Sequence, residues 1–201
     1  MSPPPPLLAA HALALSRGGK ELVAGLSFAV GAGELLVLRG PNGAGKSSLL
    51  LALAGILTPA SGTIVRPETP PHLLAHAAGV KARLTLAENL AFWRALNGPT
   101  GLAPAAALER VGLGGLGGLE AGHLSAGQAR RLALGRLIVS DRPLWLLDEP
   151  LAALDAAGAA LVGRLLGERL ATGGAVVAAT HDDIPVAAGI PTTTLRLGAA
   201  P

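Results

Sequence analysis

Two short runs of this 201-residue chain hold residues whose types and spacing could do chemistry together. The first is Gly40-Pro41-Asn42-Gly43-Ala44-Gly45-Lys46-Ser47, followed by Ser48. Glycines so spaced let backbone N–H groups turn inward around phosphate oxygens, and a helix starting directly afterwards adds its dipole. Lys46 is then a point charge for the β- and γ-phosphates, and the Ser47 hydroxyl a ligand for Mg²⁺. The bland account is a glycine turn with an incidental Lys-Ser; a strand before it and a helix after it favour the nucleotide. The second run is Leu144-Trp145-Leu146-Leu147-Asp148-Glu149. An apolar strand ending in two acids delivers them to the carboxyl edge of a parallel sheet, beside the phosphate loop. There Asp148 supports Mg²⁺ and Glu149 orients or polarises an attacking water. Alone, such an ending is more often a solvated turn; the phosphate loop changes the reading.

These groups need a scaffold, and the chain reads as strand–loop–helix units. Strands are expected over 7–15, 26–30 and 34–39, the last two separated by a Gly-Ala-Gly turn. The phosphate loop follows, then an apolar helix over 48–57 stopped by Thr58-Pro59. Further strands are read at 61–66, 73–76, 143–147, 173–180 and 192–197, and helices at 105–111 and 156–170. Thr85 with Glu88, and Ser125 with Gln128, have capping-box spacing and open helices running to Trp93 and Val139. Strand-rich sequence near the N-terminus suggests an α/β core with an appended antiparallel piece and a helical insert at about 85–140. The whole chain, 1–201, reads as one domain, with 1–6 a frayed polyproline-like arm. The early run LLAAHALAL lacks a basic leader and feeds into fold-like sequence, so it reads as a strand and not a signal peptide.

Composition narrows the function classes. Half of the residues are hydrophobic, yet no uninterrupted apolar run reaches the roughly 18 residues of a membrane span. A partner-covered surface or a GC-rich coding bias accounts for that excess. The net charge is only +3, the basic residues are scattered, and 2 Phe and 2 Trp make no stacking platform for nucleic acid. Zero cysteines exclude disulfides, thiolate metal sites and covalent haem attachment.

Between the two runs lies Leu124-Ser125-Ala126-Gly127-Gln128, which resembles the LSGGQ signature of ATP-binding-cassette (ABC) ATPases. Asp155 in LAALD resembles that family's D-loop, and His181 in ATHDD its switch histidine. The resemblance implies a P-loop NTPase fold: a RecA-like parallel-sheet core, an N-terminal antiparallel β subdomain and an α-helical insert. It also implies ATP and Mg²⁺ as cofactors, Glu149 and His181 as catalytic residues, and a head-to-tail homodimer sandwiching two ATP molecules. Each phosphate loop would face the other subunit's Ser125–Gly127, where a helix N-terminus favours a γ-phosphate. A capping box alone would also account for Ser125 and Gln128. Two positions depart from the family pattern. Ser16-Arg17 stands where an aromatic residue stacks on adenine, so Arg17 is expected to lay its planar guanidinium over the purine. Ala77 stands where the Q-loop glutamine is expected.

The stretch His76, Gly79, Lys81, Leu84-Thr85, Glu88-Asn89-Leu90 and Phe92-Trp93 is similar to the ATP-binding subunits of the haem exporter of cytochrome c maturation, the CcmA family. That likeness implies haem export, with the chain held peripherally on the cytoplasmic face of the bacterial inner membrane. The partner would be an integral membrane subunit, CcmB-like, docking near residues 76–93. No direct haem ligation is expected: His11, His72, His76 and His123 read as surface or core residues. Phe92 and Trp93 either face that partner or pack within the helical insert. The alternative is the ATP-binding subunit of another ABC transporter, or a soluble ABC ATPase such as an Fe–S assembly ATPase.

Overall fold

The computed structural model describes residues 5–198. Of the expected arm, positions 1–4 lie outside the described residues, and Pro5 and Pro6 have no regular structure. Eight strands follow: β1 (Leu8–Arg17), β2 (Lys20–Val30), β3 (Leu35–Arg39), β4 (Ser61–Val65), β5 (His72–Leu74), β6 (Leu144–Asp148), β7 (Ala175–Ala179) and β8 (Thr192–Arg196). The helices are α1 (Lys46–Leu53), α2 (Leu86–Asn97), α3 (Pro104–Arg110), α4 (Ala126–Ile138) and α5 (Ala156–Ala171).

Strands β2, β1 and β4 form an antiparallel sheet in that order. The second sheet is parallel, ordered β5-β6-β7-β3-β8. Its central strands are apolar on both faces, as strands covered from both sides must be. Leu36, Leu38, Leu144, Leu146 and Val177 pack with α1 and the antiparallel sheet. Leu35, Val37, Trp145, Leu147 and Val176 pack with α4, α5 and the small helices α2 and α3. The period of two along each strand thus feeds two cores at once.

Several boundaries differ from expectation, most of them for a local reason. Helix α1 stops at Ala54 instead of running to 57, because Gly55 enters the left-handed region and Arg66 donates to the Ala52 and Leu53 carbonyls. Strand β2 starts at Lys20; its pairing with β1 contains three register shifts, which scramble the alternation that would have revealed it. Strand β5 is His72–Leu74, not 73–76. Helix α2 continues past Trp93 to Asn97, where Gly98 (φ 94°) and Pro99 end it. Both capping boxes are present, Thr85 with Glu88 and Ser125 with Gln128.

The two aromatics of α2 divide the alternatives between them. Trp93 packs on the core with the Arg136 guanidinium 3.6 Å from its ring centre, whereas Phe92 is 39% exposed beneath Lys81. His72 is a core residue: its Nε2 sits 2.9 Å from the Ser140 carbonyl, and burial pushes its pKa down to about 4. His11 and His123 lie exposed.

Candidate functional site

Sheet order decides which loops meet. Strands β6, β7 and β3 are neighbours, so the loops leaving their carboxyl ends stand side by side: Asp148-Glu149, Thr180–Asp183 and Gly40–Gly45. The loop after β5 brings His76 to the same rim. Together they line a cavity of about 680 Å³, within the usual range for a small-molecule site. Its walls include Arg17, Asn42, Gly43, Gly45, Lys46, Ser47, Ser48, Asp148 and Glu149, all nine expected from sequence except for where Arg17 comes from: the far end of β1.

The site is cross-linked internally. The Lys46 ammonium, on a residue 7% exposed, donates to Gly40 O at 2.6 Å and Pro41 O at 3.1 Å. It also lies 3.3 Å from His181 Nε2. The Ser47 hydroxyl donates to Asp148 Oδ2 at 2.7 Å, joining the phosphate loop to the acidic strand end. His181 Nε2 is 3.3 Å from Asn42 Oδ1 and 3.6 Å from Glu149 Oε1. Its loop is fixed by Arg39, which donates to Thr180 O and Asp183 Oδ1. Helix α1 begins at Gly45 (φ 95°), and a Cβ there would press on Leu22 at 3.1 Å. Only glycine meets both demands.

The signature residues lie elsewhere. Ser125, Gly127, Gln128 and Asp155 line a second cavity of about 590 Å³, with Gly112, Leu113, Arg131, Ala153 and Leu154. Leu124 is half-buried against the core and Ala126 opens α4. Asp155 caps α5 through the Gly158 N–H and accepts from Arg131 at 3.0 Å; those two contacts hold its carboxyl below the usual range. Gly127 has no room for a side chain, since a Cβ would lie 2.9 Å from Ala153 O.

A protein-family model described as "ABC transporter" matches residues 23–152, covering both the phosphate loop and the acidic strand end. The chain belongs to the ABC transporter ATP-binding family. It is an ATPase cassette. This cassette is 48% identical over 203 residues to a cytochrome c biogenesis ATP-binding export protein CcmA of Rhodopseudomonas palustris, covering 96% of this chain and 98% of that one. It is 49% identical over 175 residues to the CcmA of Cereibacter sphaeroides, covering 87% of this chain and 82% of the other. Among solved structures, the ATP-binding subunit of an ABC transporter superposes with a TM-score of 0.83 at 22% identity, over 96% of this chain and 88% of that chain; that likeness is one of fold.

The cassette's site also holds residues the motifs did not point to. His76, expected as a surface or core histidine, lines the cavity around Lys46; its neighbour Ala77, at the expected glutamine position, does not. Leu22, Ala152 and Asp182 complete the wall. Leu22 is invisible in sequence because the register shifts hide β2, whereas Asp182 adjoins the switch histidine and could have been read.

Proposed function

We propose that this chain is the ATP-hydrolysing subunit of a haem-export transporter serving c-type cytochrome biogenesis. Its match to proteins named as cytochrome c biogenesis ATP-binding export proteins runs over nearly the whole chain, at 44–49% identity. The geometry supports the hydrolytic half. The phosphates of ATP lie against the N–H groups of residues 40–48 and the Lys46 ammonium, which exchanges the Gly40 and Pro41 carbonyls for phosphate oxygen. Mg²⁺ suits the donors present: Ser47 and Asp148 offer hard oxygens, already 2.7 Å apart, and would hold the ion. When bound, it supplies neutralisation of the charge spread over the β- and γ-oxygens. Glu149 orients the attacking water and draws on its proton, while His181, 3.6 Å away, faces the γ-phosphate from the same subunit. Arg17 lays its guanidinium over the purine at the open end.

A second copy completes the site. The signature cavity shares no lining residue with the Lys46 cavity. A head-to-tail homodimer brings Ser125 and Gly127 of each copy, at the N-terminus of α4, onto the other's γ-phosphate. No helix among the described residues is long and apolar enough to cross a membrane. On the likeness to the CcmA proteins, the cassette works peripherally, on the cytoplasmic face of the inner membrane, with a CcmB-like integral partner seated near residues 76–93. Exposed Phe92 and Leu96, on successive turns of α2, offer apolar anchors there.

The near-full-length likeness to the CcmA proteins is the observation that carries the transport reading. Deleting the gene and haem-staining for c-type cytochromes tests it. Loss of those cytochromes is expected, restored by the wild-type gene and not by Lys46→Ala; normal levels in the deletion would rule the reading out.

A further inference from the structure

The most buried cation of the signature helix has no acidic side chain as its partner. Arg130 is 3% exposed, and its guanidinium bonds all end on main-chain carbonyls. Nη1 donates to Ala75 O at 3.1 Å and His76 O at 3.4 Å. Nε donates to Pro150 O at 3.4 Å, and Nη2 to Asp148 O at 2.6 Å and to Glu149 O. One planar fork thus joins α4 to the loop after β5 and the loop after β6. Such burial is costly for a charge, and it pulls the Arg130 pKa below its ordinary value, with Asp148 and Glu149 acting in the opposite sense.

What the fork holds is strained. Glu149 has φ 47°, a left-handed conformation unfavourable for a non-glycine residue. The carbonyls before, at and after Glu149 all face the same guanidinium, so both peptide planes flanking its Cα are pinned and the Cα–Cβ direction with them. The His76 carbonyl is pinned from the same atom group.

We propose that Arg130 is a positioning residue: it sets Glu149 over the nucleotide cavity by registering the loop after β6, together with the loop after β5, against the signature helix. The inference rests on the reading of Glu149 as the water-orienting group. Its consequence is directional. A shift of α4 when Ser125–Gln128 engages a nucleotide reaches the carboxylate through backbone bonds, with no side-chain relay between them. Lysine, a compact point donor, cannot span the two loops.

The test compares Glu149→Gln, Arg130→Met, Arg130→Lys and the double variants, measuring radiolabelled phosphate release with kcat and KM separated. Both Arg130 variants are expected to lose about tenfold to a hundredfold in kcat with KM for ATP changed no more than about threefold. Added to Glu149→Gln, either is expected to lower kcat no further, because the strut acts through that carboxylate. Should Arg130→Met fail to fold, Arg130→Lys carries both arms. Wild-type kcat in Arg130→Lys, or losses that multiply in the double variant, would overturn the proposal. A Glu149→Gln protein as active as wild type would instead sink the reading of Glu149 beneath it.

Discussion

The cavity around Lys46 and the signature cavity are built on opposite plans. Around Lys46 the charged groups are already bonded to one another: ammonium to carbonyls, serine to aspartate, histidine beside glutamate. A nucleotide entering there replaces contacts that exist. Around Ser125 the charges are spent on holding shape, Arg131 on Asp155 and Asp155 on the α5 N-terminus, and what lines the cavity is the amide end of α4, capped by Ser125. The first cavity has chemistry and lacks a lid; the second has a lid's geometry and no chemistry. Incompleteness on both sides is a physical argument for two copies acting together.

Substitutions at four positions sharpen or break that contrast, from the largest effect down. Glu149→Gln is expected to lower ATP turnover by roughly 10²–10⁴-fold while ATP still binds, measured by phosphate release alongside nucleotide titration. Gly127→Ala pushes a methyl onto the Ala153 carbonyl and is expected to cost about tenfold in turnover. In a Glu149→Gln background it should also abolish ATP-dependent dimer formation on a sizing column, with nucleotide affinity of the single chain unchanged. A parallel loss of that affinity would show that the two cavities are not separable. Asp155→Ala removes the α5 cap and is expected to lower the midpoint of chemical denaturation slightly. Asp155→Asn keeps the cap, so its loss should be smaller; the carboxylate is 70% exposed and its ion pair with Arg131 contributes little. Arg17→Ala should weaken ATP by only a few fold, and equal ATP affinity in both proteins would remove Arg17 from the adenine.

Much of this was legible in the sequence where a motif demands one backbone shape. The glycines of 40–45 and the capping boxes at Thr85 and Ser125 need no tertiary context, and both boxes form. The parallel strands were legible as apolar runs because they are buried on both faces. The antiparallel sheet was less so: register shifts in β1 and β2 break the alternation, and Ala12 sits at φ 46° within it. His76 and Arg130 were missed for a different reason. One faces the cavity only because β5 adds to the sheet beside β6, and the other gains meaning from carbonyls 18 to 55 residues away. Neither partner set leaves a local pattern.

The tryptophans have an experimental use. The chain has 2 Trp and no Tyr, so its near-ultraviolet emission comes from Trp93 and Trp145. Trp145 is 4% exposed in the strand that ends at Asp148, and should emit blue-shifted light. Trp93 is half-buried under Arg136, one residue from the exposed Phe92 of α2. With Trp145→Phe in place, the remaining emission becomes a native optical reporter for whatever settles on that helix, without any attached dye.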